Sequence, residues 1–349
     1  MTEGRSWLVL TDGYLETRNA KTAHGVLRYA RDPIAAVLDR DHAGRDLREV
    51  MPDLGRDAPV VGTLEEGVDL GATSLLIGVA TPGGWLPDHW RAWMLEAAGR
   101  GMEIANGLHR FLREDEELVA KASEHGARLW DVRDPPDGIP LCSGKALDAP
   151  QRIVLTVGSD CAVGKMTASL ELVAAAEAAG RPAQFVATGQ TGILIAGWGI
   201  AVDRVISDFV SGAAEQLVLD ADPEAEVLLV EGQGGLWHPA YSGVTLGLLH
   251  GCAPEILVLV HQAGRTAIEE PPFTLLPPLA EMIETYERIA SVVRPCRVAC
   301  VAVNCHGLSP AERRAELSEV SNATGLPAGD VIAGDAPALW EAVAAALDA

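Results

Sequence analysis

The chain has 349 residues, 48% of them hydrophobic and 22% charged, and its 27 basic against 49 acidic side chains leave a net charge of −22. That length exceeds one average core and points to two domains of a soluble, globular kind. The acidity argues against broad nucleic-acid or anionic-membrane binding, so an anionic ligand has to be held by local donors.

No apolar run reaches the roughly eighteen residues of a membrane span, and MTEGRSWLVL lacks the basic and apolar regions of a signal peptide, so a cytoplasmic protein is expected. Cys142, Cys161, Cys252, Cys296, Cys300 and Cys305 form no C-x-x-C pair and read as free thiols. A metal cluster of Cys296, Cys300, Cys305 and His306 is disfavoured, because Val298 to Val303 reads as a strand whose alternate residues face opposite ways.

Trp7 to Leu10 is the first predicted strand, followed by Thr11-Asp12-Gly13 and a helix near Ala20–Tyr29. Ile34 to Leu38 is the second, ending in Asp39-Arg40-Asp41. Then come Pro59–Val61, the run Ser74–Ala80 with Thr81-Pro82-Gly83-Gly84 behind it, a helix around Pro87–Arg100, a strand near Glu103–Asn106, a helix Glu114–Glu124 and a strand Arg128–Val132. Strands alternating with helices predict a parallel sheet with right-handed crossovers, here a Rossmann-like domain over 1–132. TDGYLET after the first strand carries one glycine and no G-x-G-x-x-G, which argues against a nicotinamide cofactor. Asp12, Asp39, Thr81 and Asn106 lie at strand ends, where such sheets bind ligands, although each taken alone reads first as a turn or cap residue.

Residues 133–150, rich in Pro, Gly and polar side chains, read as a linker before a second domain over 151–349. It opens on IVLTVGSDCAVGKMTASLEL: a strand Ile153–Val157, a loop Gly158–Gly164, Lys165, and a helix Thr167–Ala179. Strand, glycine loop, lysine and helix in that order make a phosphate-binding loop, in which backbone N–H groups and the positive helix end face one volume and Lys165 adds a mobile charge. Gly158, Ser159, Asp160, Cys161, Ala162, Val163, Gly164, Lys165, Met166 and Thr167 are the expected cofactor-binding residues. Five residues separate the two glycines where the common motif has four, and Met166 stands where a magnesium-binding hydroxyl is usual, with Thr167 one place later.

Gln184–Ala187 is the next strand, ending in a Thr188-Gly189-Gln190-Thr191-Gly192 cluster placed for ligand contacts. Asp208 opens a helix containing Ala213, Ala214 and Leu217, either as its cap or as a holder of a magnesium-bound water. Val227–Val230 is a buried strand followed by Glu231-Gly232-Gln233-Gly234-Gly235; an acid at that strand end is where a magnesium-coordinating carboxylate is expected. His238 is either a general base or structural. Ile256–Val260 leads to His261 and Arg265, whose guanidinium suits a carboxylate or phosphate. The prolines of Glu269-Glu270-Pro271-Pro272 and Pro277-Pro278 delay a helix until Leu279–Arg288. Val298–Val303 is a strand tipped by Asn304, Pro310–Thr324 a helix, Val331–Ile332 a short strand, and Pro337–Leu347 a closing helix. The domain is therefore predicted to be a doubly wound parallel sheet of the P-loop NTPase kind.

The five-residue loop resembles that of dethiobiotin synthetase, and VEGQGGL resembles the corresponding motif of that enzyme. GSDCAVGKMT, ATGQTG, VEGQGGL and HQAGR together resemble a bacterial family with a Rossmann-like and a P-loop domain, formerly a domain of unknown function, one branch of which is regarded as D-glutamate N-acetyltransferases. The resemblance covers essentially the whole chain. It implies acetyl-CoA as cofactor, an amino-acid substrate, and a homodimer or higher homo-oligomer, while the acidic charge leaves no nucleic-acid or membrane partner expected. In the dethiobiotin synthetase class an Asn at a comparable place to Asn304 recognises adenine, and its amide suits a base edge.

On that reading Gly164–Thr167 grip coenzyme A, Lys165, Glu231 or His238 serve catalysis, and Gln190, Thr191, Gln233, Gly234 and Arg265 hold the substrate, Arg265 through its carboxylate. N–H groups near Gly232–Gly235 would stabilise the oxyanion. The rival is a kinase-like or ligase-like enzyme in which ATP with Mg2+ activates a carboxylate, and Thr167, Asp208 and Glu231 serve the metal. A nucleotide-binding switch protein is the third reading.

Overall fold

The computed structural model describes residues 4–81, 86–269 and 273–349. The expected turn at Pro82-Gly83-Gly84 and the segment Glu270-Pro271-Pro272 lie outside them. The chain divides into two compact units, Met1–Pro135 with Gln190–Ala201, and Pro136–Gly189 with Val202–Ala349.

The first unit is built on six parallel strands, β1 (Trp7–Leu10), β2 (Ile34–Leu38), β3 (Val60–Val61), β4 (Ser74–Ile77), β5 (Glu103–Asn106) and β6 (Leu129–Asp131), in the order β3-β2-β1-β4-β5-β6. The short apolar runs WLVL and SLLI are buried along their whole length, as strands covered on both faces must be. Helices α1 (Lys21–Tyr29), α2 (Leu47–Val50), α3 (Leu64–Asp69), α4 (Asp88–Gly99) and α5 (Glu116–His125) connect them. Strand order reverses between β1 and β4, and the crevice outside the carboxyl ends of the strands at such a reversal is where open α/β sheets bind ligands.

The second unit opens with β7 (Arg152–Gly158), α6 (Lys165–Ala178) and β8 (Ala183–Val186). Helix α6 begins two residues before the predicted Thr167, so Lys165 is its first residue and Gly164 its N-cap, in the left-handed region at φ 112°. Only glycine takes that conformation readily. The Gln190–Gly192 part of the expected ligand loop is instead the start of a helix, α7 (Gln190–Ala196), which belongs to the first unit.

The chain continues through α8 (Val210–Leu219), β9 (Val227–Val230), α9 (Ser242–Cys252), β10 (Ile256–Gln262), α10 (Leu279–Ala290), β11 (Arg297–Asn304), α11 (Pro310–Thr324), β12 (Ala328–Gly329) and α12 (Ala336–Leu347). The sheet is parallel, in the order β12-β11-β10-β7-β9-β8, so β7 lies between β10 and β9 and the loop after it is flanked by their carboxyl ends. Val331–Ala333 is a helical turn rather than the predicted strand: the Asp330 carboxylate accepts the N–H groups of Ile332 and Ala333 and curls the chain. The last strand is two residues long and lies just before it. No helix among the described residues is long and apolar enough to cross a membrane.

Candidate functional site

The loop Ser159–Gly164 is held from beneath by side chains that the sequence scatters widely. Ser159 is fully buried and its Oγ lies 2.9 Å from His261 Nδ1. Burial, with the Arg265 charge, pushes His261 down to about 4, so the ring is neutral at pH 7. The buried Asp160 carboxylate accepts the Cys161 N–H at 2.7 Å, Arg265 Nη1 at 2.6 Å and the Glu269 N–H at 2.9 Å. Tyr286 donates its hydroxyl to the Gly158 carbonyl at 2.7 Å. What remains toward solvent is Cys161, Ala162 and Gly164, with Ala162 in the left-handed region at φ 54°. Gly164 offers no side-chain oxygen to the first N–H groups of α6, so this helix start keeps its donors for a ligand.

Glu231 follows β9 directly. Its Oε2 accepts the N–H groups of Thr188 at 3.0 Å and Gly189 at 3.2 Å, while the Thr188 hydroxyl donates to the Glu231 carbonyl at 2.7 Å. Burial raises its carboxyl from 4.5 to about 7; the two N–H groups and Lys165 pull the other way, and Asp203 adds to the rise. Lys165 is buried, and its Nζ donates to the carbonyls of Asp160 at 2.8 Å and Gly234 at 2.7 Å. It is a tie between two turns, not the expected mobile charge. Burial lowers it from 10.5 to about 8, against the fields of Cys161, Asp160 and Glu231. Each of these two buried groups thus feels the charge of the other, while burial opposes the ionised form of both.

The glycines after Glu231 serve close approach. A Cβ on Gly232 would lie 1.8 Å from the Thr156 carbonyl oxygen. The Gly232 N–H is committed to Thr156 Oγ1 at 2.9 Å, so the expected oxyanion donors narrow to Gln233, Gly234 and Gly235. Gln233 Nε2 donates to Thr188 Oγ1 at 3.1 Å, which binds the turn to the end of β8.

Several expected roles meet a different geometry. Arg265 spends its guanidinium on Asp160, the Cys161 carbonyl, Gln262 Oε1 and Glu269, and its side chain is 11% exposed; it stiffens the loop and is not presented to a substrate carboxylate. Gln190 and Thr191 sit in the first unit, where Gln190 Oε1 accepts Arg133 Nη1 and Thr191 Oγ1 lies 3.1 Å from Thr22 Oγ1. Asp208 is exposed in the turn Ser207–Phe209, and α8 is capped by Phe209 with no side-chain bond, so Asp208 is not the cap. Asp203 is the acid whose charge reaches Glu231. His238 is buried, with Nδ1 accepting the Ala240 N–H at 3.3 Å.

Its ring nitrogen, Cys161 Sγ and an Asp160 oxygen lie within 4.8 Å of one another. Asn304 ends β11 beside the loop, its Nδ2 3.9 Å from where a Gly164 Cβ would be, and its Oδ1 accepts the His306 N–H. In the first unit Asn106 and Asp39 are turn locks: Asn106 bonds Arg110, Asp131 and Leu108, and Asp39 bonds Thr11, Gly13, Asp41 and His42. Thr156 and Tyr286 are site residues that no motif flagged; only their strand or helix placement could have drawn attention to them.

A family model described as "Domain of unknown function (DUF1611_C) P-loop domain" matches residues 140–340, and a DUF1611_N Rossmann-like domain matches residues 40–135. The chain is 40% identical over 284 residues to a protein of Tritonibacter scottomollicae named D-glutamate N-acetyltransferase, covering 81% of this chain and 84% of that one. It is also 40% identical over 266 residues to a protein of the same name from Pseudoalteromonas sp, covering 76% and 79%. The crystal structure of a DUF1611 family protein from Anabaena variabilis superposes with a TM-score of 0.92 at 38% identity, covering 98% of this chain and 99% of that one. With both domain types in order and two 40%-identical relatives along most of its length, the chain belongs to the DUF1611 family.

Proposed function

We propose that the protein is an amino-acid N-acetyltransferase that moves the acetyl group of acetyl-CoA to the amine of D-glutamate. The observation that carries the reading is Glu231, a buried carboxyl held near neutrality beside the uncapped start of α6. The name borne by both relatives supports the reaction class and the amino acid. Coenzyme A carries phosphates that suit the free N–H groups after Gly164, and the loop presents no acidic side chain of its own there, since Asp160 is turned onto Arg265.

In this reading Glu231, ionised, takes a proton from the substrate ammonium, and the freed amine attacks the thioester carbonyl. The N–C bond forms, and the carbonyl pair moves onto oxygen near the N–H groups of Gln233–Gly235. The oxyanion pair then re-forms the C=O bond as the C–S bond breaks, the attacking nitrogen gives its second proton to the departing coenzyme A thiolate, and Glu231 releases the first to solvent. Lys165 fixes those two turns against each other, so the donors are in place before charge develops.

The magnesium-ATP reading meets an obstacle in α6. Thr167 is the third helical residue, and a helix turns about 100° per residue, so its hydroxyl leaves on a different side from that of a residue directly after Lys165. Purified protein mixed with acetyl-CoA and D-glutamate is expected to release free thiol only when the amino acid is present. Release of ADP or AMP from ATP coupled to product, without thiol release from acetyl-CoA, would replace the reading with a ligase or kinase.

A further inference from the structure

At the reversal point of the first unit's sheet, where a dinucleotide fold carries its glycine loop, this chain places a different apparatus. Asp12 ends β1 in the left-handed region at φ 25°, a conformation that a non-glycine residue holds only under the constraint of its surroundings. Its buried carboxylate collects four side-chain donors: Arg40 Nε at 2.7 Å on Oδ1, and Arg40 Nη2 at 2.8 Å, Trp90 Nε1 at 2.8 Å and His89 Nε2 at 2.6 Å on Oδ2. Arg40 comes from the end of β2, His89 and Trp90 from the first turn of α4. Burial acts to raise the Asp12 carboxyl, but the bonds from Arg40, Trp90 and His89 outweigh it and hold it at about 2, so it is a fixed negative charge.

The same contacts aim Arg40 outward. Its side chain is 53% exposed although two of its nitrogens are bound, and Nη1 has no partner among the described residues. Its guanidinium carbon lies 5.5 Å from the centre of the Trp93 ring, and the His89 ring meets Trp93 edge-on at 5.4 Å. His89 is 42% exposed, with Nε2 turned to Asp12 and Nδ1 unbonded among the described residues. A plain structural ion pair needs neither a strained carboxylate nor a half-exposed cation backed by an indole. In the second unit, by contrast, Arg265 is spent on the loop and Lys165 on carbonyls.

We propose that Arg40, His89 and Trp93, positioned by Asp12, form a carboxylate-recognition site of the first unit that takes a small carboxylate such as an acidic amino acid. The free guanidinium edge donates to the carboxylate, His89 adds a second polar contact, and the Trp93 face excludes water from one side. The charge of the ligand follows from these residues and stands apart from the acetyltransferase reading.

The test is calorimetric titration of D-glutamate, and of glutarate as a dicarboxylate without an amine, into the full chain. The expected result is saturable binding of both. Arg40→Gln should weaken it roughly ten- to a hundredfold, the loss of one charged hydrogen-bonding partner, and Arg40→Lys, which keeps the charge but not the fork on Asp12, should fall between. Wild-type affinity in Arg40→Gln overturns the proposal, as does absence of binding of either probe to the wild type. Binding that Arg40→Gln abolishes, in a protein that transfers no acetyl group, keeps this site and discards the acetyltransferase reading.

Discussion

Replacing Glu231 by Gln should stop the chemistry and stabilise the protein at the same time. The carboxyl's rise from 4.5 to about 7 means that the folded chain prefers the protonated form. At about 1.4 kcal/mol per pH unit, that preference is on the order of 3 kcal/mol. The stability it contributes is fully present below pH 4.5, is lost as pH rises toward 7, and is absent above that, where the wild type carries a buried charge. Gln keeps an oxygen for the Thr188 and Gly189 N–H groups and never ionises. Urea unfolding of the two proteins should therefore coincide near pH 4.5, and the variant should gain by up to about 3 kcal/mol by pH 7. Its acetyl-transfer rate should fall about 10²- to 10⁴-fold, and the acid limb near pH 7 in the wild-type profile should vanish. A variant with rates within a few-fold of wild type, or one that keeps the acid limb, would refute Glu231 as the base. A stability difference that does not change with pH would refute its burial as the source of the shift.

Gly232→Ala sets a Cβ 1.8 Å from the Thr156 carbonyl oxygen and 3.0 Å from Lys165 Cδ. Backbone cannot step aside cheaply, so a loss of about 2–3 kcal/mol is expected in urea unfolding, and an unchanged midpoint would refute the close approach. Arg265→Met strands the buried Asp160 carboxylate and should cost about 3–5 kcal/mol; adding Asp160→Asn should recover part of it, and additive losses would show that the pair is not coupled. Lys165→Met should abolish transfer by untying the two turns. Because burial lowers the wild-type amine from 10.5 to about 8, its contribution to stability is present above 10.5 and lost as pH falls through 8. The variant should thus gain on the wild type as pH is lowered across that range, and unfolding curves at pH 10.5 and 7 check it.

The parts of this protein that were legible in its sequence are those whose signal is local. The helix predicted over Pro310–Thr324 is found with those bounds, opened by a Ser309–Glu312 capping box and closed by a left-handed Gly325. The strand-loop-lysine order around Gly158–Lys165 likewise fixes where an anion cradle forms. What stayed hidden depends on partners far along the chain. Helix α9 carries Gly243, Gly247 and Gly251 four residues apart, which a reading by propensity takes for broken helix. Two of them are there because a Cβ would strike α8: at Gly247, 2.3 Å from Val210 Cγ1, and at Gly251, 2.1 Å from the Ser211 carbonyl oxygen.

Arg265 has the same history in reverse. Its type and its strand-end position suit a substrate clamp, but Asp160, 105 residues earlier, claims it. Arg40 and His89, 49 residues apart and marked by no motif, meet only because β2 and α4 converge on the carboxylate at the end of β1. Residue type and strand-end placement select candidates for a site, and long-range hydrogen bonding decides which of them still have an edge to offer. The free edge of Arg40 and the fully committed Arg265 therefore weigh more in assigning a carboxylate site than the type of either residue.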